Sequence, residues 1–384
     1  MPIFTETLPL SLYVHIPWCV RKCPYCDFNS HEMKHGLPEA AYVEALLDEL
    51  DHHLPRIQHR SFISIFFGGG TPSLFSANAI EQILRGISQR MPLNPSIEIT
   101  LEANPGTIEQ ARFQGFREAG INRLSLGIQS LQNDKLKTLG RIHDHDQAIR
   151  AISIAKEAGF TNFNLDLMYG LPHQSIDDAL EDVKLALSFQ PTHLSWYQLT
   201  IEPNTLFHHQ PPPLPMDETI WQMQQAGQTL LQQAGFEQYE VSAYSLAGKN
   251  CVHNRNYWEF GDYLGIGAGA HSKLTNEKTG EVVRFAQVKH PNAYLNPEKR
   301  RLLPLKTLSE DDLIFEFMLN GLRLSQGIPA TLFTQRTGLS LQRIEQMLNQ
   351  AKTRGLLVKD EHYFLPSERG KRFLNDLVSI FLLS

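Results

Sequence analysis

The chain has 384 residues, 42% hydrophobic and 20% charged, with a formal net charge of -6. That composition supplies enough apolar material for one large α/β domain plus an appendage. The negative balance argues against a protein that works by coating phosphate backbones, so nucleic acid is not an expected partner. Four cysteines, three of them in one short stretch, do not make a secreted disulfide framework. Residues 1–7 lack the basic start and apolar run of a signal peptide, and no run approaches about 18 apolar residues, so no membrane span is expected. A reducing cytoplasm is the expected setting, with transient membrane-surface contact and a homodimer left open.

Leu10 to Ile16 reads as a buried strand, followed by a cysteine loop and an amphipathic helix over 38–54. A second strand over 61–67 runs into Gly68-Gly69-Gly70-Thr71-Pro72 and a helix over 77–89. Further units follow: strand 96–101 with helix 107–119, stopped by Gly120, then strand 123–128 with helix 144–158, and strand 162–168 with helix 176–189. A sixth strand over 193–200 leads, past Pro211-Pro212-Pro213, to a helix over 217–234. Strands alternating with helices at this spacing predict parallel pairing through right-handed crossovers, and six units predict a partial (β/α)6 TIM-type barrel over 1–245. The fold class is therefore α/β.

After Gly235 the alternation changes. Residues 239–244 read as a closing strand, and in a connector spanning 246–300 Gly265 to His271 reads as a glycine-rich turn and 282–287 as an edge strand. Pro291, Pro297 and Pro304 break regular structure around a junction placed between about Ala293 and Lys306. Helices over 310–323, 329–336 and 341–353, short strands over 356–358 and 363–365, and a last helix predict a small winged-helix-like α+β domain over 301–384. Packing against the barrel is the favoured role for it, ahead of DNA binding.

The chemistry concentrates at strand ends. Cys19-x3-Cys23-x2-Cys26 follows the first strand. A structural zinc site or an ordinary iron–sulfur cluster takes four protein ligands. Three thiolates imply either a four-iron cluster with one open iron or a zinc site completed by His15 or His31. The glycine triplet allows close backbone approach to a ligand. Glu102, Gln129 and Asp166 lie at or within apolar strands, where an unpartnered polar group costs a few kcal/mol. They either pair with one another or bind the polar groups of a cofactor, and three on consecutive strands favour the cofactor.

These segments, with Leu101-Glu102-Ala103-Asn104-Pro105, Leu124 to Ser130 and Asp166-Leu167-Met168-Tyr169-Gly170-Leu171-Pro172, resemble the radical S-adenosyl-L-methionine (radical SAM) superfamily. The likeness points to the branch that holds oxygen-independent coproporphyrinogen III dehydrogenases and haem chaperones, and it runs through most of the first 270 residues. It implies a 4Fe-4S cluster on Cys19, Cys23 and Cys26, with SAM at the open iron. It also implies SAM contacts from Tyr13, Gly69, Gly70, Thr71, Glu102, Gln129, Arg141 and Asp166, with Tyr25 shielding the cluster or touching the cofactor base.

Two departures separate the branches. The dehydrogenases carry a further cysteine where this chain has Phe28, and a longer N-terminal extension. The segment Cys251-Val252-His253-Asn254-Arg255-Asn256-Tyr257-Trp258 resembles the chaperone signature. It implies haem b held by His253 and packed by Tyr257 and Trp258, with Arg255 toward a propionate. The segment is not Cys-x-x-Cys-His, so a c-type thioether attachment is not expected. The expected function is a haem chaperone that passes haem to an acceptor haemoprotein. The alternatives are a coproporphyrinogen dehydrogenase or another radical SAM enzyme on a tetrapyrrole, and a zinc-binding adaptor. No catalytic acid or base is assigned, and whether the chain turns SAM over as an enzyme stays open.

Overall fold

Strand β1 (Leu10–Ile16) is buried at all but one of its positions, the pattern of a central strand covered on both faces. It lies beside β2 (Phe62–Gly69), and pairing continues in parallel through β3 (Glu98–Ala103), β4 (Arg123–Gln129), β5 (Phe163–Tyr169) and β6 (His193–Gln198). This is a computed structural model describing residues 2–4, 6–34, 36–57, 60–106, 112–301 and 304–382. The connections carry α1 (Glu39–His53), α2 (Ala77–Arg90), α3 (Phe113–Ala119), α4 (Asn133–Thr138), α5 (His145–Glu157) and α6 (Ile176–Ser188). Each layer of apolar side chains meets the next in one continuous core that includes Leu12, Ile65, Leu101, Leu126, Leu165 and Leu194. The expected helix over 107–119 is seen from Phe113, with Gly120 as its left-handed cap; residues 107–111 lie outside the described residues.

Beyond α7 (Asp217–Gln233) the expected closing strand over 239–244 is a hairpin, β7 (Glu237–Glu240) and β8 (Ala243–Ser245), with β8 antiparallel to β6. The chain bends at Val241-Ser242, where Glu240 accepts the Ser242 N–H at 3.1 Å and Ser242 O accepts from Trp196 at 2.8 Å. After α8 (Val252–Trp258), β9 (Asp262–Ile266) returns to pair in parallel with the free side of β1. Then β10 (His271–Asn276), β11 (Glu281–Ala286) and β12 (Leu305–Thr307) extend the sheet antiparallel. The order is β12-β11-β10-β9-β1-β2-β3-β4-β5-β6-β8-β7, with β12 and β7 as separate edges, so the barrel is incomplete. Residues 246–300 thus contribute three strands to the main sheet. Periodicity concealed β9 because it opens on a buried acid: Asp262 accepts from Arg60 and Lys273, each at 2.8 Å. Burial pushes that carboxyl up, but Lys273 and Arg60 outweigh it and hold it below the usual range.

The C-terminal part has α9 (Glu310–Gly321), α10 (Ala330–Thr337) and α11 (Glu345–Thr353), with Ile328–Pro329 paired to Tyr363–Phe364. Ser309 and Asp312 close a capping box at the start of α9, satisfying two of its orphan N–H groups. Its core of Leu313, Phe317, Phe333 and Ile344 also takes in Phe260 and Val282 from the barrel side. Ion pairs Glu240–Arg323 at 3.2 Å and Arg284–Glu316 at 2.6 Å join the two parts. Among the described residues no helix is long and apolar enough to cross a membrane.

Candidate functional site

The cysteine loop is fixed before any ligand is considered. Trp18–Cys19 pairs with His31–Glu32, and the Asn29 amide donates to Ala268 O and Lys289 O, both at 2.9 Å. The Tyr42 hydroxyl donates to His15 O at 2.9 Å and accepts from Ala268 N at 2.8 Å. The glycine-rich turn expected near residue 265 is therefore the floor under the loop. Gly269, at φ +81°, leaves no room for a Cβ against the Asn29 amide, and a Cβ on Gly70 would meet the Trp18 carbonyl. Glycine is required at both places by close approach.

Cys19, Cys23 and Cys26 are free thiols, Cys19 buried and the other two half-buried. They line a cavity of about 570 Å3 together with Tyr25, Gly69, Gly70, Thr71, Glu102, Gln129, Arg141 and Asp166. Burial pushes the Cys19 thiol up to about 11 and raises Cys26 as well, so metal binding here releases protons. Among the described residues, the one triad whose ligand atoms all lie within 4.8 Å of one another is Glu98, Cys251 and His253. The loop thiols are spread more widely than about 2.3 Å bonds to a single zinc would set them. His15 is also committed, its Nδ1 to the Tyr13 hydroxyl at 2.8 Å and its Nε2 to Asn29 O at 2.9 Å. His31 gives its Nε2 to Lys289 O at 3.2 Å, and the donor set fits a multi-iron cluster with three protein ligands better than a zinc ion completed by His15 or His31.

The strand ends form a ring of polar groups facing the cysteines. Glu102 accepts from Gly69 N at 3.3 Å, and burial followed by the charge of Asp166 pushes its carboxyl up to about 8. Burial raises Asp166 too, opposed by hydrogen bonds from Ser195, Asn164 and Ser125. A register shift between Leu126 and Gln129 and a φ of +69° at Gln129 aim its side chain inward, where Oε1 accepts from the Tyr197 hydroxyl at 2.7 Å. Arg141 reaches Cys23 Sγ at 3.5 Å, Asn104 Oδ1 at 2.6 Å and Gly127 O at 2.8 Å. Burial opposes its charge, yet Tyr25 and Cys23 raise its pKa further. Asn104 in turn donates to Thr71 Oγ1 at 2.9 Å. Sequence reasoning passed over Asn104, Ser195 and Tyr197 as site residues. The available signal was the two-residue alternation on β6, which puts Ser195 and Tyr197 on one face.

A second cavity, of about 760 Å3, lies on the other side of Gly69 and Glu102, walled by Tyr13, Phe66, Phe28, Tyr257, Tyr263 and His271 among others. Tyr13 thus faces this cavity and not the one lined by the cysteines. Tyr257 and Trp258 reach it from the last turn of α8, but His253 lines neither cavity. Its ring is stacked on Phe66, with centroids 4.0 Å apart and 7° between planes, and its Nδ1 lies 3.4 Å from Glu98 and 3.1 Å from Cys251 Sγ. Arg123, also buried, stands 3.9 Å from Glu98. Phe66, Glu98 and Arg123 of the barrel thus meet Cys251 and His253 at the start of α8 and hold that helix in place. Arg255 is exposed and ion-paired with Glu259. The buried Glu98 and Arg123 were a further omission, since nothing in a strand pattern announces a partner more than 100 residues away.

A parallel partial barrel with three free cysteines on its first loop and a glycine-rich second loop defines a class, the radical SAM fold. Residues 13–186 match the Radical SAM superfamily and residues 308–373 match the HemN C-terminal domain. The heme chaperone HemW of Haemophilus influenzae is 50% identical over 97% of this chain and 98% of its own, and that of Escherichia coli is 48% identical over the same shares. The chain belongs to the HemW family of the radical SAM superfamily. In architecture it superposes on coproporphyrinogen III oxidase (HemN) of Escherichia coli with a TM-score of 0.82, at 23% identity, covering 98% of this chain and 90% of that one.

Proposed function

We propose that this chain is a haem chaperone of the cytoplasm, binding haem b and delivering it to an acceptor haemoprotein. The reading is carried by near-full-length kinship at 48–50% identity with proteins named heme chaperones. Cys19, Cys23 and Cys26 would hold a 4Fe-4S cluster, and the ring of Gly69, Gly70, Thr71, Glu102, Gln129, Arg141 and Asp166 would receive SAM. A cluster with SAM at its open iron supplies one-electron chemistry at the sulfonium. The chain's own contribution is to orient polar groups, with burial and the charge of Asp166 pushing the Glu102 carboxyl up to about 8.

The alternative, oxidation of coproporphyrinogen, is disfavoured by Phe28, which leaves the loop without a further thiol and stands 58% exposed on the wall of both cavities. Ligation of iron by His253 would require the first turn of α8 to lift from Phe66 and Glu98. The deciding experiment is anaerobic titration of the reconstituted chain with haem, followed by transfer to an apo-haemoprotein. Stoichiometric binding and transfer are expected. Turnover of coproporphyrinogen in the presence of SAM and reductant, without haem binding, would overturn the reading.

A further inference from the structure

The second cavity has properties that the SAM site does not use. Its walls are aromatic: Tyr13 packs on Phe66 with centroids 5.4 Å apart, and Tyr257 meets Tyr263 edge-on at 4.9 Å. Flat rings of this kind favour a flat apolar ligand. The volume, about 760 Å3, falls inside the range of about 300–1,000 Å3 typical of small-molecule sites.

Of its three lysines, Lys273 is buried and neutralised by Asp262 at 2.8 Å, whereas Lys22 and Lys289 are exposed, Lys22 also lining the cysteine cavity and donating to Phe28 O at 3.1 Å. Asp27 is also exposed there, and the remaining acid, Glu102, is buried with its carboxyl pushed up to about 8. The cavity therefore offers an aromatic interior with two cationic side chains at its edge. Of its histidines, His15 uses both ring nitrogens and His31 contacts Lys289 O at 3.2 Å. His271, exposed at the start of β10, has neither ring nitrogen in a hydrogen bond among the described residues.

The geometry points to this second cavity as the haem site, with His271 as the axial imidazole and Lys22 and Lys289 meeting the propionates. The assignment rests on the chaperone reading and locates the cargo beside the SAM site, across Gly69 and Glu102, with Lys22, Asp27, Phe28, Ser30 and Trp258 lining both cavities. A neutral imidazole is a normal iron ligand, and lysine ammoniums suit carboxylates at an open rim.

The test is haem titration of the reconstituted full chain, followed by its Soret spectrum, for wild type, His271→Ala, Lys22→Glu/Lys289→Glu and His253→Ala. His271→Ala is expected to weaken binding at least tenfold and shift the Soret band, with added imidazole restoring the wild-type spectrum. The double lysine variant is expected to lose at least tenfold for haem but little for haem dimethyl ester, which lacks the carboxylates. His253→Ala is expected to keep the wild-type spectrum. If wild type binds haem and His271→Ala matches it in affinity and spectrum, this site is wrong while the chaperone reading stands. Spectral loss in His253→Ala that imidazole repairs would likewise overturn it. If wild type binds no haem, the chaperone reading itself fails.

Discussion

The two cavities share Gly69, Glu102, Trp258 and part of the cysteine loop, Lys22 to Ser30, yet the rest of their walls are built by opposite means. Around the cysteines nearly every polar group is already engaged: Arg141 with Asn104, Asn104 with Thr71, Gln129 with Tyr197, Asp166 with Ser125 and Asn164. Such a network holds its members in place before a ligand arrives, because each would otherwise be buried unsatisfied. The second cavity is walled by aromatic rings, with cations at an open rim. A rigid, hydrogen-bonded site suits a resident cofactor, and an open aromatic one suits cargo that must leave again.

The sharpest way to break this contrast is at the cysteines. Cys19→Ser, Cys23→Ser or Cys26→Ser is each expected to reduce iron and acid-labile sulfide to background after anaerobic reconstitution. Cys251→Ala, remote from the loop and packed on His253, should leave both at wild-type levels; their loss there would mean a fourth protein ligand. Next in size is the buried charge beneath the second cavity. Asp262→Ala strands Lys273 and Arg60, and removing one partner of such a set costs about 3–5 kcal/mol. Denaturant unfolding should register that loss, and an unchanged midpoint would show that water reaches the cluster.

A smaller effect concerns the wall common to both cavities. Glu102 is raised from 4.5 in the unfolded chain to about 8 in the folded one, so between those pH values the folded chain binds the additional proton. Stability then falls as pH rises through that window. The thermal midpoint of the cofactor-free chain should decline from about pH 5 to pH 8, and Glu102→Gln should flatten its share of the decline. Smallest is Tyr197→Phe, which removes the donor to Gln129 and should cost about 1 kcal/mol. A weaker affinity for SAM with unchanged haem binding would assign that hydrogen bond to the first cavity alone.

Much of this was legible from the amino-acid order. Six strand–helix units and the polar Glu102, Gln129 and Asp166 on consecutive strands follow from local periodicity, because alternation in a strand fixes which side chains share a face, and the cysteine triplet and glycine loop are read directly from their spacing. Tyr13 and His15 could be put on one face in that way. Which cavity that face meets depends on β9 pairing with β1 across some 250 residues of chain, as in the register Tyr13 with Gly265. The same long-range closure brings Asp262 to Arg60 and the glycine turn under Asn29.

His253 marks the boundary between the two kinds of information. Its motif led to the expectation of a haem ligand, but a histidine on a short helix is equally able to face solvent, a ligand or a core. Tertiary packing turned it onto Phe66 and Glu98, and left Tyr257 to face the second cavity and Trp258 to line both. By itself the sequence determined the barrel units, the three thiolates and the acids that face them, since each is written in spacing along one segment. Only the tertiary structure decided that a second, aromatic cavity lies beside the cysteines and that, among its described histidines, His271 keeps both ring nitrogens free, because those facts depend on contacts between segments that no local pattern encodes.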